Sequence, residues 1–215
     1  MKLNIRAFLL AAGLSGAAVT GGVFIVDQEE LVLGTYVDPV GIVTECAGQR
    51  ADGQEPGQPR SLEYCLNQLA DNLATYNRQL LRLTDGVNLT EGENAAYLSF
   101  IYNVGAEAFR TSTLRKKLLA GDHIGACNEL IRWVYSKGRK LNGLVNRRAK
   151  ELALCLSNLK GNANEPFKPS IGPGYGPVVA HRREFSLRIV DGKRQPGYGR
   201  VKSRTVRTAE IPAAA

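Results

Sequence analysis

The chain predicts an α+β fold: a small β region near its N-terminus, then a larger helical part. Three observations predict it. Residues 34–48 are turn-rich, with Tyr36-Val37, a Pro39/Gly41 turn and Ile42-Val43-Thr44, the pattern of short paired strands. Beyond residue 60, helical segments with start and stop signals dominate. Before both lies an uncharged run from Ala7 to Val26.

That run is as long as a bilayer span, and Lys2 and Arg6 on its N-terminal side predict an N-terminus inside and the remainder outside. Eleven of its twenty residues are Ala, Gly, Ser or Thr, so a helix here is only weakly hydrophobic and held marginally in lipid. Three readings stay open. Ser15-Gly16-Ala17 fits a signal-peptide cleavage site. A permanent anchor is the second. The third is a segment that inserts first and later leaves the membrane, which the weak hydrophobicity favours. Glu29 follows Val26 by three residues, about 4.5 Å of helix, so membrane insertion would pin it at the bilayer surface.

In the β region, Asp38 and Thr44 are expected on adjacent strands. Residues 50–60 are a Gly/Pro-rich loop. Ser61 can cap a helix reaching about Leu83, and Thr90-x-x-Glu93 is a capping box for the next. Asn103-Val104-Gly105 is expected to end that helix. Further helices are expected near residues 112–120, 124–135 and 144–159, with Trp133 read as core. From Gly161 the composition turns to Gly/Pro-rich linker. Residues 185–190 suggest a strand and Asp191-Gly192 a turn.

Charge is uneven. Residues 1–159 hold 17 basic and 16 acidic side chains, and residues 160–215 hold 11 and 4. The body is therefore near neutral, and two readings of the tail stay open: a disordered, solvated extension, or a basic arm suited to anionic envelope polymers or lipid headgroups. It lacks the aromatic density of a single-strand binder, so nucleic acid is not expected. The four cysteines, Cys46, Cys65, Cys127 and Cys155, form no Cys-x-x-Cys pair, and the two histidines are far apart, so no metal is expected. In an exported protein the even count predicts two disulfides, with three connectivities open.

Glu29, Asp38 and Thr44 are the candidate chemistry. Two carboxylates and a hydroxyl can split a glycosidic bond: one carboxyl protonates the leaving oxygen, and the other groups hold a water and stabilise positive charge. The spacing alone is common. Its flanks are more specific: Glu29 with Tyr36-x-Asp38-x-x-Gly41-x-x-Thr44, then Ser99-Phe100-Ile101-Tyr102-Asn103-Val104-Gly105 and Phe109 to Leu114, then Gly121-Asp122 through Cys127 to Trp133, then Gly143-Leu144-Val145-Asn146-Arg147-Arg148 through Cys155.

These four motifs, in order over residues 28–156, resemble the phage-type (T4-like) lysozymes, and among them the signal-arrest-release endolysins of lambdoid phages (phage 21 type). The resemblance implies a lysozyme-like fold in three parts. Residues 1–27 would be a signal-arrest-release, transmembrane segment. Residues 28–159 would be a muramidase domain with a small β-containing lobe and a larger helical lobe, and residues 160–215 a basic extension. It implies hydrolysis of the β-1,4 bond between N-acetylmuramic acid and N-acetylglucosamine in peptidoglycan, with inversion and no cofactor. The protein would be tethered transiently to the host inner membrane on its periplasmic side, then released to the periplasm. Glu29 would be the general acid, with Asp38 and Thr44 positioning the water. Arg147, or Arg148 one residue on, would pair with Glu29, and Tyr36 and Asn103 would support the site. The cystines would be Cys46–Cys65 and Cys127–Cys155, each joining segments that the resemblance places together. The chain departs from the family where Glu30 replaces the usual Gly, at Glu45 and Ala47 beside Cys46, and at Gln49 in place of a common His. Glu30 and Ala47 motivate the rival reading, a catalytically impaired lysozyme fold that binds cell-wall glycan or envelope surfaces.

Overall fold

The computed structural model describes residues 4–29, 31–38, 41–159 and 189–191. Its first elements are α1 (Ile5–Ala11) and α2 (Gly16–Gln28). The expected single N-terminal helix is therefore two shorter ones. Gly13 adopts φ +82° and ends the first, and the Ser15 side chain accepts the Ala18 N–H to start the second. No helix among the described residues is long and apolar enough to cross a membrane. Instead Ile5, Leu9, Leu14, Ala18, Val19 and Ile25 join the hydrophobic core. The small residues that weaken the segment for lipid make this packing close. A Cβ on Gly21 would stand 3.2 Å from the Ala95 backbone, and one on Gly22 would stand 2.7 Å from methyls of Leu9 and Leu73.

After α2 come β1 (Leu31–Val37), β2 (Val43–Cys46) and β3 (Gln49–Arg50). β1 and β2 are antiparallel, pairing Tyr36 with Thr44 and Thr35 with Glu45, with a register shift between Val32 and Thr35. Thr44 lies on β2 as expected. Asp38 does not lie on a strand: it follows β1 in the turn, where its Oδ1 accepts the Ile42 N–H at 2.8 Å and its carbonyl the Gly41 N–H at 3.0 Å. Gly41 has φ +88°, the conformation that a turn here requires and a side chain resists.

The helical part comprises α3 (Leu62–Leu83), α4 (Glu91–Val104), α5 (Ala106–Thr111), α6 (Thr113–Leu119), α7 (His123–Glu129) and α8 (Asn142–Leu156). Ser61 caps α3. Thr90 and Glu93 form both halves of the capping box on α4. Gly105, at φ +87°, ends α4 and donates its N–H to the Ile101 carbonyl at 2.7 Å. The helix expected over 124–135 stops at Glu129. A 3-10 turn (Leu130–Arg132) follows, then a hairpin of β4 (Tyr135–Ser136) and β5 (Arg139–Lys140). Lys137 and Gly138 both have positive φ at its tip, the two-residue turn that matches strand twist. Trp133 is half-buried, edge-on to Phe100 at 5.1 Å.

α4 is the central helix. Residues 92–101 are all buried, enclosed by α2, α3 and α8. At the other side, β6 (Ile189–Asp191) lies parallel to β1, giving the sheet order β3-β2-β1-β6. Asp191, expected in a turn, is thus in the strand. Residues 185–188, Gly192 and the rest of the basic extension lie outside the described residues.

Both cystines are present, Cys46–Cys65 and Cys127–Cys155, with sequence separations of 19 and 28. The first ties β2 to α3 and the second α7 to α8. Loops of these lengths remove about 3 kcal/mol each from the unfolded state's advantage. Replacing either pair by serines is expected to lower the unfolding free energy by about that amount in urea titrations. A midpoint unchanged within error would show that the cystine is energetically idle.

Candidate active site

The site is built on the junction between α2, β1 and α8. Glu29 is the C-cap of α2, in extended conformation, with its N–H still bonded to the Ile25 carbonyl at 2.9 Å. The chain leaves the helix at this residue and enters β1, so its side chain projects where helix and sheet meet. Its carboxylate Oε1 accepts Arg147 Nη1 at 2.5 Å, and the side chain keeps 29% of its accessibility. The pair is close in space and 118 residues apart in sequence.

Arg147 is buried on α8 and uses its whole fork. Nε donates to Glu151 Oε1 at 3.1 Å, and Nη2 donates to the Ser99 carbonyl and hydroxyl at 3.3 Å. Glu151 has no accessible surface. It also accepts Ser99 Oγ–H at 2.7 Å and Arg148 Nη1 at 2.6 Å. Arg148 does not touch Glu29: its other donor reaches Asn103 Oδ1, and its guanidinium lies over the Phe100 ring at 4.9 Å. Burial pulls the Arg148 guanidinium down to about 10, which still leaves it cationic at neutral pH. Burial likewise raises the Glu151 carboxyl, against the pull of both arginines.

Tyr102, one turn along α4 from Ser99, ties this network to the sheet. Its hydroxyl donates to the Ala47 carbonyl at 2.9 Å and accepts Gln49 Nε2–H at 2.8 Å, while Gln49 Oε1 accepts the Ala47 N–H at 3.0 Å. Ala47 and Gln49, two of the family departures, thus fasten the β2–β3 turn to the central helix. Burial, reinforced by the negative charge of Glu29, holds the Tyr102 phenol far above its ordinary value; Tyr36 acts in the same direction, and Arg147 acts against it. Glu29, Arg147 and Tyr36 therefore share one electrostatic neighbourhood. Straight, the nine residue steps from Glu29 to Asp38 would span about 30 Å; the register shift in β1 bends that path.

The Thr44 hydroxyl is buried and turned toward the Tyr36 and Ile42 carbonyls, at 3.3 and 3.4 Å. Glu45 is a structural carboxylate, ion-paired to Arg60 at 2.6 Å and accepting Tyr64 O–H at 2.9 Å. Glu30 lies outside the described residues. Among the described residues, no group of three or more His, Cys, Asp or Glu side chains could hold a metal ion.

Sequence reasoning named Glu29, Asp38, Thr44, Tyr36, Asn103, Arg147 and Arg148. It missed Glu151 and the role of Ser99. The signal for Glu151 was its place three and four residues after the two arginines, on one helix face.

Chemically, the arrangement offers a partly exposed carboxyl held by a buried guanidinium. Comparison with known proteins gives that arrangement a context. The model of the family described as phage lysozyme matches residues 26–151. The SAR-endolysin of Bacteriophage PS119 is 36% identical over 162 residues, covering 73% of this chain and 96% of that protein. The SAR-endolysin of Escherichia phage Mu is 35% identical over 163 residues, covering 74% and 93%. Among solved structures, the endolysin from Escherichia coli O157:H7 phage FAHEc1 superposes with a TM-score of 0.58 at 30% identity, covering 65% of this chain and 92% of that one. The match spans both the β region and the helical part, so the chain belongs to the phage lysozyme family and has a lysozyme-type hydrolase fold.

Proposed function

We propose that this chain is a phage endolysin, a muramidase that opens host peptidoglycan between N-acetylmuramic acid and N-acetylglucosamine so that progeny escape. The observation that carries the reading is the seat of Glu29: a carboxyl at a helix end, partly open, with its orientation fixed by the buried Arg147. In this reading Glu29 protonates the leaving glycosidic oxygen. Asp38 and Thr44 hold the attacking water on the opposite face, and the product inverts. Residues 1–27 first tether the chain to the inner membrane, with the body in the periplasm, and later leave the bilayer; residues 28–159 are the hydrolase. The SAR-endolysin relatives support this order of events. The packed α1 and α2 then represent the segment after it has left lipid. The basic extension, residues 160–215, contacts anionic envelope polymers.

The test uses the full-length, detergent-free protein on purified peptidoglycan, with reducing ends identified chemically and the anomer read by NMR. New muramic acid reducing ends in the inverted anomer are expected. Glu29→Gln should lower the rate by about 10²–10⁴, and Glu30→Gln should leave most of it. Loss in Glu30→Gln alone would move the acid by one residue. A folded wild type that sediments with the wall yet releases no ends would make the protein a glycan-binding relative instead.

A further inference from the structure

Arg147 presents a difficulty for its own partner. A guanidinium bonded to a carboxyl favours the carboxylate anion, whereas a general acid must carry a proton. A second cation, Arg148, stands in the same buried cluster, and the charge of Glu29 acts on it as well. Left uncompensated, two arginines would put an excess of positive charge beside the proposed acid.

Glu151 is placed to prevent this. It is wholly buried on α8 and cannot touch substrate. One oxygen takes Arg147 Nε and Ser99 Oγ–H, and the other takes Arg148 Nη1. With Nε on Glu151 and Nη2 on Ser99, the plane of the Arg147 guanidinium is fixed, and Nη1 is left aimed at Glu29. The same carboxylate offsets one of the two positive charges. Stability alone is a weak reason for such a group, because buried ion clusters replaced by well-packed apolar residues are often no less stable.

We infer that Glu151 is a positioning residue that orients Arg147 toward Glu29 and offsets part of the positive charge of the two arginines there. This rests on the assignment of Glu29 as the acid. Among the described residues, other titratable or charged groups near Glu29 include Asp27 on α2, Lys150 on α8 (3.6 Å from Asp27), Tyr102 on α4 and Tyr36 on β1. Of these, Lys150 is already engaged by Asp27 and Gln28. Tyr102 is held neutral by its burial. Glu151 is the fully buried acidic member.

The experiment is the pH–rate profile of peptidoglycan hydrolysis by the full chain, for wild type, Glu151→Gln, Glu151→Asp and Arg148→Met. Removing the negative charge should move the alkaline limb to lower pH by about one unit, a tenfold loss at a fixed pH above the limb. Removing a positive charge in Arg148→Met should move it the other way. Glu151→Asp, which keeps the charge, should keep the limb near its wild-type position. A role in packing alone would scale the rate equally at every pH; fixed limbs in Glu151→Gln and Arg148→Met would therefore overturn the inference. If circular dichroism shows Glu151→Gln unfolded, Arg148→Met decides by itself: an upward shift supports the inference, and none or a downward one overturns it. A wild-type alkaline limb that persists unchanged in Glu29→Gln would remove the acid assignment, and this inference with it.

Discussion

A chain that begins at residue 28 is expected not to fold, although every proposed catalytic residue would still be present. The reason is the core. Ile5, Leu9, Leu14, Val19 and Ile25 are each at most 9% exposed. Burying a large aliphatic side chain contributes about 1.5–3 kcal/mol, so these five together contribute about 7.5 kcal/mol at the low end. A whole domain has a net stability of about 5–15 kcal/mol. Deletion would also bare the surfaces of Leu73, Ala95 and Leu98 that Gly21 and Gly22 pack against, and would remove the Thr20 hydroxyl bond to Glu91 at 2.7 Å. The measurement is near-ultraviolet circular dichroism and urea unfolding of residues 28–215 beside the full chain. A native-like spectrum with a single sharp transition in the truncated chain would refute the argument.

The same packing bears on timing. One apolar segment cannot be in lipid and in the core at once. In the proposed life cycle, departure from the bilayer and completion of the core are therefore a single event, and Glu29, as the C-cap of α2, reaches Arg147 only when α2 has docked.

What was legible in the sequence was local chemistry. Ser61, the Thr90/Glu93 box and Gly105 each satisfy backbone groups within a few residues, so their side chains announce them. The β turn announced itself through Pro39 and Gly41, but Asp38 itself belongs to that turn, bonded to Gly41 and Ile42, and not to the strand. The break at Gly13–Ser15 was not legible from apolarity, because a composition weak for lipid also suits close helix packing, and the partners Leu73, Ala95 and Leu98 are distant in sequence. The hairpin at 135–140 was hidden by its brevity, with two residues per strand. Glu151 was hidden differently. Its spacing from Arg147 and Arg148 is that of ordinary surface pairs on a helix. Only burial distinguishes the network, and burial belongs to the fold. The contact between Glu29 and Arg147 came from family resemblance, since no local pattern joins residues 118 apart.

Arg147→Met is expected to lower stability by about 3–5 kcal/mol, because removing one member of a buried ion network leaves its partners uncompensated. For a domain of this size that corresponds to a fall in Tm of about 6–20 °C. Glu151 would keep Arg148 and Ser99 but lose one donor, Ser99 would lose its guanidinium contact, and Glu29 would lose its orientation. Hydrolysis should fall at least about a hundredfold even at temperatures where the variant is folded, since a misdirected acid forfeits most of its contribution. Glu29→Gln is the informative contrast. It leaves Arg147, Arg148, Glu151 and Ser99 in place, so its rate should collapse while its Tm stays within a few degrees. Arg147→Lys should fall between, keeping a charge but not the planar fork that reaches three partners at once. Thermal unfolding of the three variants beside their hydrolysis rates separates the two roles of the arginine. An Arg147→Met protein that unfolds at the wild-type temperature would show that the network is not a structural keystone. One that also hydrolyses wall at the wild-type rate would show that the seat of Glu29 lies elsewhere.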